Sequence, residues 1–318
     1  MEVGMVVAAV FAVFTGFNDA GAQVGLGTRA RGLPPLAALA LLATAVAVAP
    51  LVVGTAVAAT LDGRLVAYPG GDGRTGLYVG VAVAVAVTVG LGWRGLPTSL
   101  TLALVGGIAG AGTGGGGDVS WPVIASVLAA AAAAPVAGAL VAGAACRLVR
   151  GLPHVGTAGI RLRWLHIAAF SAGCVAYGAN DGQKVLAVYF ATRDGTRHGA
   201  ADLAPVLVLL GVCFLAGGLA GLPRLAAGLG GMLTPTRTDT LVATELTGAS
   251  VVLGTAALGS PVSMTQSLAG ALIGTGLARG TRRVRWRGVL ALGRAWLFTL
   301  PLAYGLAALA NATIGALS

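Results

Sequence analysis

Long apolar stretches recur along the whole chain and are separated by short polar segments. A stretch of about 20 apolar residues is long enough to cross the hydrocarbon core of a bilayer as an α-helix. The stretches extend over Val3–Gly27, Leu33–Leu61, Thr75–Trp93, Pro97–Gly115, Ser120–Cys146, Trp164–Thr192, Ala201–Leu222, Thr240–Gly259, Pro261–Ala278 and Gly288–Ala310. The pattern predicts an all-α polytopic membrane protein with about ten crossings. The stretches that begin at Pro97 and Pro261 are short and rich in glycine, so we expect broken or re-entrant helices there.

Composition supports a membrane protein and excludes a soluble domain. Of the 318 residues, 57% are hydrophobic and 9% are charged, and the mean hydropathy is +0.89. The net charge of +10 does not indicate nucleic-acid binding, because the basic residues lie in short loops and only 5% of residues are aromatic. In a membrane protein such a charge bias indicates orientation and contact with anionic lipid.

The basic residues lie mostly on one side of the predicted topology. With the N-terminus outside, 14 arginines fall on the inner side and 4 on the outer side. The inner ones are Arg29, Arg31, Arg94, Arg147, Arg150, Arg161, Arg163, Arg224, Arg237, Arg279, Arg282, Arg283, Arg285 and Arg287. The outer ones are Arg64, Arg74, Arg193 and Arg197. Cytoplasmic loops carry the excess of basic residues, so we expect a multi-pass protein of the bacterial inner membrane with both termini outside.

Two motifs occur twice, at nearly the same offset of about half the chain. Gly16-Phe17-Asn18-Asp19 recurs as Gly178-Ala179-Asn180-Asp181, and the stretch from Leu96 recurs from Ser260 with matching Pro, Ser, Thr and Gly positions. We therefore divide the chain into a first transmembrane repeat, residues 1–150, and a second repeat, residues 151–318. Each contains an odd number of crossings, so the second is inverted. Inverted repeats with interrupted segments are typical of secondary transporters and of their binding sites.

The Asn-Asp pairs are the clearest candidates for a site. A charge inside a bilayer costs several kcal/mol unless it has a partner or a water-filled cavity. Asn18, Asp19, Asn180 and Asp181 supply hard oxygen ligands suited to Na⁺ or to a carried proton. The alternative is that each pair caps a helix. We favour the site, because a glycine precedes each pair and indicates a chain break.

Hydroxyl side chains follow each of the two prolines, and they suit an anion. Hydroxyls and free backbone N–H groups at a helix start favour an oxyanion. The alternative is that they only bond back to helix carbonyls. The four hydroxyl residues are Ser99, Thr101, Ser263 and Thr265.

Other charged residues leave alternatives open. Lys184, the only lysine, lies one turn after Asp181 and is expected to pair with that carboxylate, contact the anion, or both. Glu245 is interpreted as a cation ligand, a proton carrier or a partner of Arg294, and the stretch Ala40–Gly54 offers no acidic counterpart in the first repeat. The Arg279–Arg287 cluster is expected to meet anionic lipid headgroups.

At these motifs the chain resembles the inorganic phosphate transporter (PiT) family. The resemblance rests on FTGFNDAGAQVGLG, AYGANDGQKVLAVY and the stretches Pro97–Leu102 and Pro261–Gln266, and it extends over nearly the whole chain. It implies import of inorganic phosphate by symport with H⁺ or Na⁺. It assigns Asn18, Asp19, Asn180 and Asp181 to the family's signature positions. It assigns Ser99, Thr101, Ser263, Thr265 and Glu245 to the family's other site positions.

Departures from the family pattern keep other anions open. Leu100, Leu102, Met264 and Gln266 stand where Thr and His are usual, and Ala22 stands where a second Asn is usual. Fewer cation ligands remain, which gives weight to H⁺ coupling. A sulfate permease on the same scaffold is the nearest alternative, and a passive anion channel is a further one.

We predict no enzyme and no bound cofactor apart from the coupling ion. No nucleophile elbow, HExxH or kinase signature occurs, and the glycine run Gly114–Gly117 lacks the context of a nucleotide-binding loop. We interpret that run as an external turn. The predicted partners are inorganic phosphate and membrane lipid, and a homodimer stays open.

Overall fold

The computed structural model describes residues 3–29, 33–68, 73–93, 98–151, 158–190, 200–223, 233–234 and 237–317. Almost all of these are helical. The α-helices are α1 Val3–Gly27, α2 Pro35–Val53, α3 Ala56–Ala59, α4 Gly73–Trp93, α5 Leu100–Gly114, α6 Trp121–Gly151, α7 Ala158–Tyr177, α8 Gln183–Phe190, α9 Ala200–Gly221, α10 Thr238–Ala257, α11 Met264–Arg279 and α12 Trp286–Leu317. Two π-helical turns, Thr60–Arg64 and Gly178–Gly182, and a 3₁₀ turn, Thr281–Arg283, join some of them. Several residues of the charge count fall outside the described residues: Arg31, Arg94, Arg193, Arg197 and Arg224.

The ten predicted apolar runs correspond to ten helical segments. Within the described ranges, seven helices are long and apolar enough to cross a membrane: α1, α2, α4, α6, α9, α10 and α12. The runs at Pro97 and Pro261 form the short helices α5 and α11, and Pro97 itself lies outside the described residues. The run at Trp164–Thr192 is interrupted, because a π-turn separates α7 from α8. The all-α polytopic prediction is confirmed.

The two repeats pack by exchanging helices. The last helix of each repeat packs against the short helix of the other, so α12 contacts α5 and α6 contacts α11. The first helices exchange in the same way, with α1 against α9 and α7 with its π-turn against α2. Exchange of this kind buries the Asn-Asp segment of each repeat against helices of the other, and it brings the two motifs toward the same interface.

Glycines allow these close helix crossings. A Cβ at Gly16 would overlap the carbonyl oxygen of Phe214, and a Cβ at Gly178 would overlap that of Ala45. Gly110 faces Tyr304 in the same way. Small residues at helix crossings let backbones approach, which drives association where lipid replaces water. The repeated glycines of the two motifs therefore have a packing role.

One expectation about chain breaks is wrong for the first repeat. The α1 helix runs without interruption from Val3 to Gly27 and contains Asn18 and Asp19 in its interior. The second Asn-Asp pair does lie at an irregularity, the π-turn Gly178–Gly182. Neither pair caps a helix, since both lie within helical segments.

A small two-stranded sheet was not predicted. β1 Val66–Ala67 pairs antiparallel with β2 Asp118–Val119 in the register Val66 to Val119. The end of the glycine run Gly114–Gly117 leads from α5 into β2. The run therefore forms a turn, as expected, and the sheet joins the segment before α4 to the segment before α6.

Candidate functional site

The first Asn-Asp pair is held by a residue of the second repeat. Asn18 Nδ2 donates to Asp19 Oδ1 at 2.6 Å, and the Tyr177 hydroxyl donates to Asp19 Oδ2 at 3.2 Å. Asp19 is buried and Asn18 is half-buried. One carboxylate oxygen therefore faces the side chain of its own helix and the other faces the opposite repeat.

The second pair has more partners. Asn180 Nδ2 donates to Asp181 Oδ2 at 2.9 Å and to the Val262 carbonyl oxygen at 2.6 Å. Asn180 Oδ1 accepts from the Val262 backbone N–H at 3.2 Å. The amide thus satisfies both backbone groups of Val262, as a neighbouring strand would. This pairing fixes the extended segment that precedes α11.

Gln183 ties the π-turn to the first repeat. Its Oε1 accepts from the backbone N–H groups of Val57 and Ala58 at 2.8 and 3.2 Å, which are the otherwise unpaired donors at the start of α3. Its Nε2 donates to the Ala179 carbonyl oxygen at 2.5 Å. A π-turn adds one residue to a helical turn and is frequent at functional sites. Here the added residue is stabilised by these contacts.

Lys184 points into the interface between the repeats. Its Nζ lies 2.6 Å from Asp181 Oδ1, 2.6 Å from Thr101 Oγ1 and 2.7 Å from the Val262 carbonyl oxygen. The side chain is 1% exposed. An ammonium group has three donors, and all three have a partner. The expected ion pair with Asp181 is present in the structure, and it is buried away from solvent.

The four hydroxyl residues occupy the starts of the two short helices. Ser99 and Ser263 are N-caps, and each Oγ accepts from the backbone N–H three residues later at 3.4 Å. Thr101 Oγ1 donates to the Val262 carbonyl oxygen at 3.0 Å. Ser263 Oγ lies 2.8 Å from Thr265 Oγ1. The serines cap their own helices, whereas Thr101 bonds across the repeats.

Five of the predicted site residues line one small cleft between the repeats. The cleft is lined by Asp19, Leu100, Thr101, Tyr177, Asp181, Ser263, Met264 and Thr265. The amides Asn18 and Asn180 and the ammonium of Lys184 bond to its carboxylates. Ser99 is fully buried and does not line it. Among these described side chains the space is too narrow for a water molecule, so an oxyanion requires the cleft to widen.

Glu245 lies away from this cleft and faces a histidine that the sequence analysis missed. His166 Nδ1 is 2.9 Å from Glu245 Oε2, and both side chains are fully buried. His166 Nε2 lies 3.1 Å from the Gly27 carbonyl oxygen, a contact that requires the N–H on Nε2. The proposed partner Arg294 is exposed instead. In the sequence, His166 is a lone histidine within an apolar run, and no neighbouring residue indicates its partner.

The counterpart of Glu245 is also corrected. α10 packs on α11 as α4 packs on α5, so the first-repeat counterpart lies in α4 and not in Ala40–Gly54. At the offset that relates Ser99 to Ser263, the matching residue is Val81, which is buried in the core. The polar pair is therefore a feature of the second repeat only.

The arginine cluster lies at the surface near the 3₁₀ turn. Arg282, Arg283, Arg285 and Arg287 are exposed. Arg279 is half-buried and forms an ion pair with Asp239, so its charge is already matched within the protein. Contact of the exposed arginines with anionic lipid stays a prediction.

A known protein family matches each of the two repeats separately. A model described as "Phosphate transporter family" matches residues 15–160 and again residues 152–307. Each match contains one Asn-Asp pair and one Ser-capped short helix. This chain belongs to the phosphate transporter family. The resemblance to that family inferred from the motifs is confirmed.

Relatives of this phosphate transporter family member match along most of its length. A Mycobacterium leprae protein named "Probable low-affinity inorganic phosphate transporter" is 30% identical over 94% of this chain and 74% of its own length. A Mycobacterium tuberculosis protein with the same name is 31% identical with the same coverage. A solved structure described as "The sodium-dependent phosphate transporter" superposes with a TM-score of 0.84 at 16% identity, over 99% of this chain and 98% of the other. The fold is therefore shared from end to end.

Proposed function

We propose that the protein imports inorganic phosphate across the bacterial inner membrane, coupled to H⁺ or Na⁺, through the cleft between its repeats. The observation that carries this proposal is the convergence of Asp19 and Asp181 from opposite repeats on the starts of two half-length helices. Membership of the phosphate transporter family supports it.

The proposed anion position is at the helix starts. Free backbone N–H groups and the positive end of the helix dipole favour negative charge, and Thr101, Ser263 and Thr265 add hydroxyl donors beside them. The anion would displace local bonds such as that between Ser263 and Thr265. Binding therefore requires the cleft to open, as alternating access does when one bundle rocks against the other.

Coupling follows from charge. Two carboxylates beside an anion repel it unless a cation or a proton lies between them. Each ligand therefore raises the affinity for the other, and this reciprocity is a coupling free energy. Asp19 with the amide of Asn18, and Asp181 with the amide of Asn180, form the two halves of the proposed coupling site.

The carboxylates also favour phosphate over sulfate. Phosphate at neutral pH carries at least one O–H and can donate to a carboxylate, whereas sulfate offers acceptors alone. A site with buried acceptors rejects an analogue that lacks the matching donor, by about 10⁴-fold in strong cases. Sulfate stays the second candidate because Leu100 and Met264 line the cleft at positions where the family usually has Thr.

Labelled-phosphate uptake into proteoliposomes, with sulfate as competitor, tests this proposal. We expect saturable phosphate uptake that a hundredfold excess of sulfate leaves nearly unchanged. Phosphate would be rejected as the substrate if its uptake did not exceed that of empty liposomes while sulfate accumulated.

A further inference from the structure

The ammonium of Lys184 occupies a position built like a cation site. Its three contacts are a carboxylate oxygen, a hydroxyl oxygen and a backbone carbonyl oxygen, at 2.6, 2.6 and 2.7 Å. Carboxylate, hydroxyl and carbonyl oxygens form the ligand set that hard cations take. The carboxylate belongs to the π-turn before α8, the hydroxyl to α5, and the carbonyl to the segment before α11. One tethered charge therefore joins both repeats.

Sequence offsets relate the residues around Lys184 to a matching set in the first repeat that lacks a tethered charge. The offset between the Asn-Asp motifs relates Lys184 to Ala22 and Asp181 to Asp19, and the offset between the short helices relates Thr101 to Thr265. Asp19 and Thr265 line the same cleft. In the described part of the chain, no basic residue forms an ion pair with Asp19. The two halves have similar oxygens, and only one has a built-in cation.

We propose that Lys184 is a built-in cation that permanently fills the second-repeat half of the coupling site. That half then takes no exchangeable ion, and the transport cycle carries at most one monovalent cation or proton, at Asp19. This inference rests on the proposed function for its role in transport. The ion-binding claim itself does not depend on which anion is carried.

Removal of the ammonium should open the second-repeat half to Na⁺. Lys184→Ala leaves Asp181 Oδ1, Thr101 Oγ1 and the Val262 carbonyl oxygen around a space that the side chain had filled. A neutral side chain of similar length, in Lys184→Met, keeps that space occupied. The two variants lose the same charge and differ in whether a cation can enter.

Binding of radioactive Na⁺ to purified protein at saturating concentration tests the proposal without phosphate. We expect at most one Na⁺ per wild-type chain, one additional Na⁺ in Lys184→Ala, and no additional Na⁺ in Lys184→Met. Asp181→Asn added to Lys184→Ala should remove the gain. A folded Lys184→Ala with the wild-type count would overturn the proposal.

The wild-type count keeps the proposal testable even where Lys184→Ala does not fold. Two Na⁺ per wild-type chain would overturn it, because Lys184 would then leave both halves open. The reverse variant, Ala22→Lys, should lower any wild-type Na⁺ count to zero. Failure of phosphate uptake alongside the expected Na⁺ counts would reject the proposed substrate and leave this inference intact.

Discussion

The two Asn-Asp segments share a motif but differ in structure. The first lies in a regular helix, with Asn18 half-buried and Asp19 bonded only to Asn18 and Tyr177 in the described part of the chain. The second lies in a π-turn, with Asn180 bonded to Val262 and Asp181 paired with Lys184. A site with many partners is rigid, and one with few is free to exchange its ligand. The comparison supports the proposal that the second repeat anchors the site and the first exchanges the ion.

The largest effect is expected from Asp181→Asn. The change leaves the Lys184 ammonium buried without its counter-charge, and breaking a buried pair by removing one partner costs about 3–5 kcal/mol. Uptake should fall to background and the free energy of unfolding should drop by that amount, measured by denaturant titration in lipid. The pair with Lys184 adds the stability cost.

The control for Asp181→Asn is Asp202→Asn, because Asp202 is exposed and undergoes the same chemical change. It should leave both uptake and stability near the wild-type values. Equal stabilities for the two variants would show that the Lys184 pair does not anchor the second repeat.

Glycine substitutions should affect the two repeats equally. Gly16→Ala and Gly178→Ala each place a Cβ against a carbonyl oxygen of the partner helix. Overpacking of this kind costs about 1–3 kcal/mol. Gly21→Ala is the control, since nothing lies within 4 Å of a Cβ there. If Gly16→Ala left the free energy of unfolding unchanged, close helix packing would matter only around Gly178 in the second repeat.

The pair of His166 and Glu245 is specific to the second repeat. A double-mutant cycle with His166→Gln and Glu245→Gln should give a coupling energy of about 1–3 kcal/mol, since the buried partners lie 2.9 Å apart. Stability in detergent or lipid is the measurement. Additive effects would show that the two side chains do not interact.

The smallest stability effect is expected from Asp19→Asn. Asn18 can still donate to the retained oxygen, and the Tyr177 hydroxyl can accept from the new amide N–H instead of donating. The free energy of unfolding should therefore change by less than about 1 kcal/mol. Coupling should nevertheless be lost, because no carboxylate remains for the exchangeable ion. Uptake assays beside an unfolding curve separate the two results. A large loss of stability would remove the contrast with Asp181.

Hydropathy and the repeat predicted much of this fold. The α1 helix has the predicted bounds, and α5 and α11 are the two short elements expected after the prolines. The motifs occur at matched positions in both repeats, so the sequence alone predicted that their side chains meet in one cleft. These residues are Asp19, Thr101, Asp181, Ser263 and Thr265. Family membership then identified the scaffold.

Other features depend on contacts that a linear pattern does not record. The π-turn at Gly178 is stabilised by Gln183 and by the first repeat. A pair with Arg294 was one of three alternatives for Glu245, but helix packing brings His166 to it. The β1–β2 pair is too short to give an alternating pattern. Each depends on residues far apart in sequence.

Gradient-driven phosphate uptake by Asp19→Asn is the most direct test of coupled transport through this cleft. The account predicts that wild-type proteoliposomes accumulate labelled phosphate when an H⁺ or Na⁺ gradient is imposed. It also predicts that folded Asp19→Asn protein does not accumulate it under either gradient. Accumulation by the variant at the wild-type level would contradict the central claim, because the ion would then be coupled elsewhere.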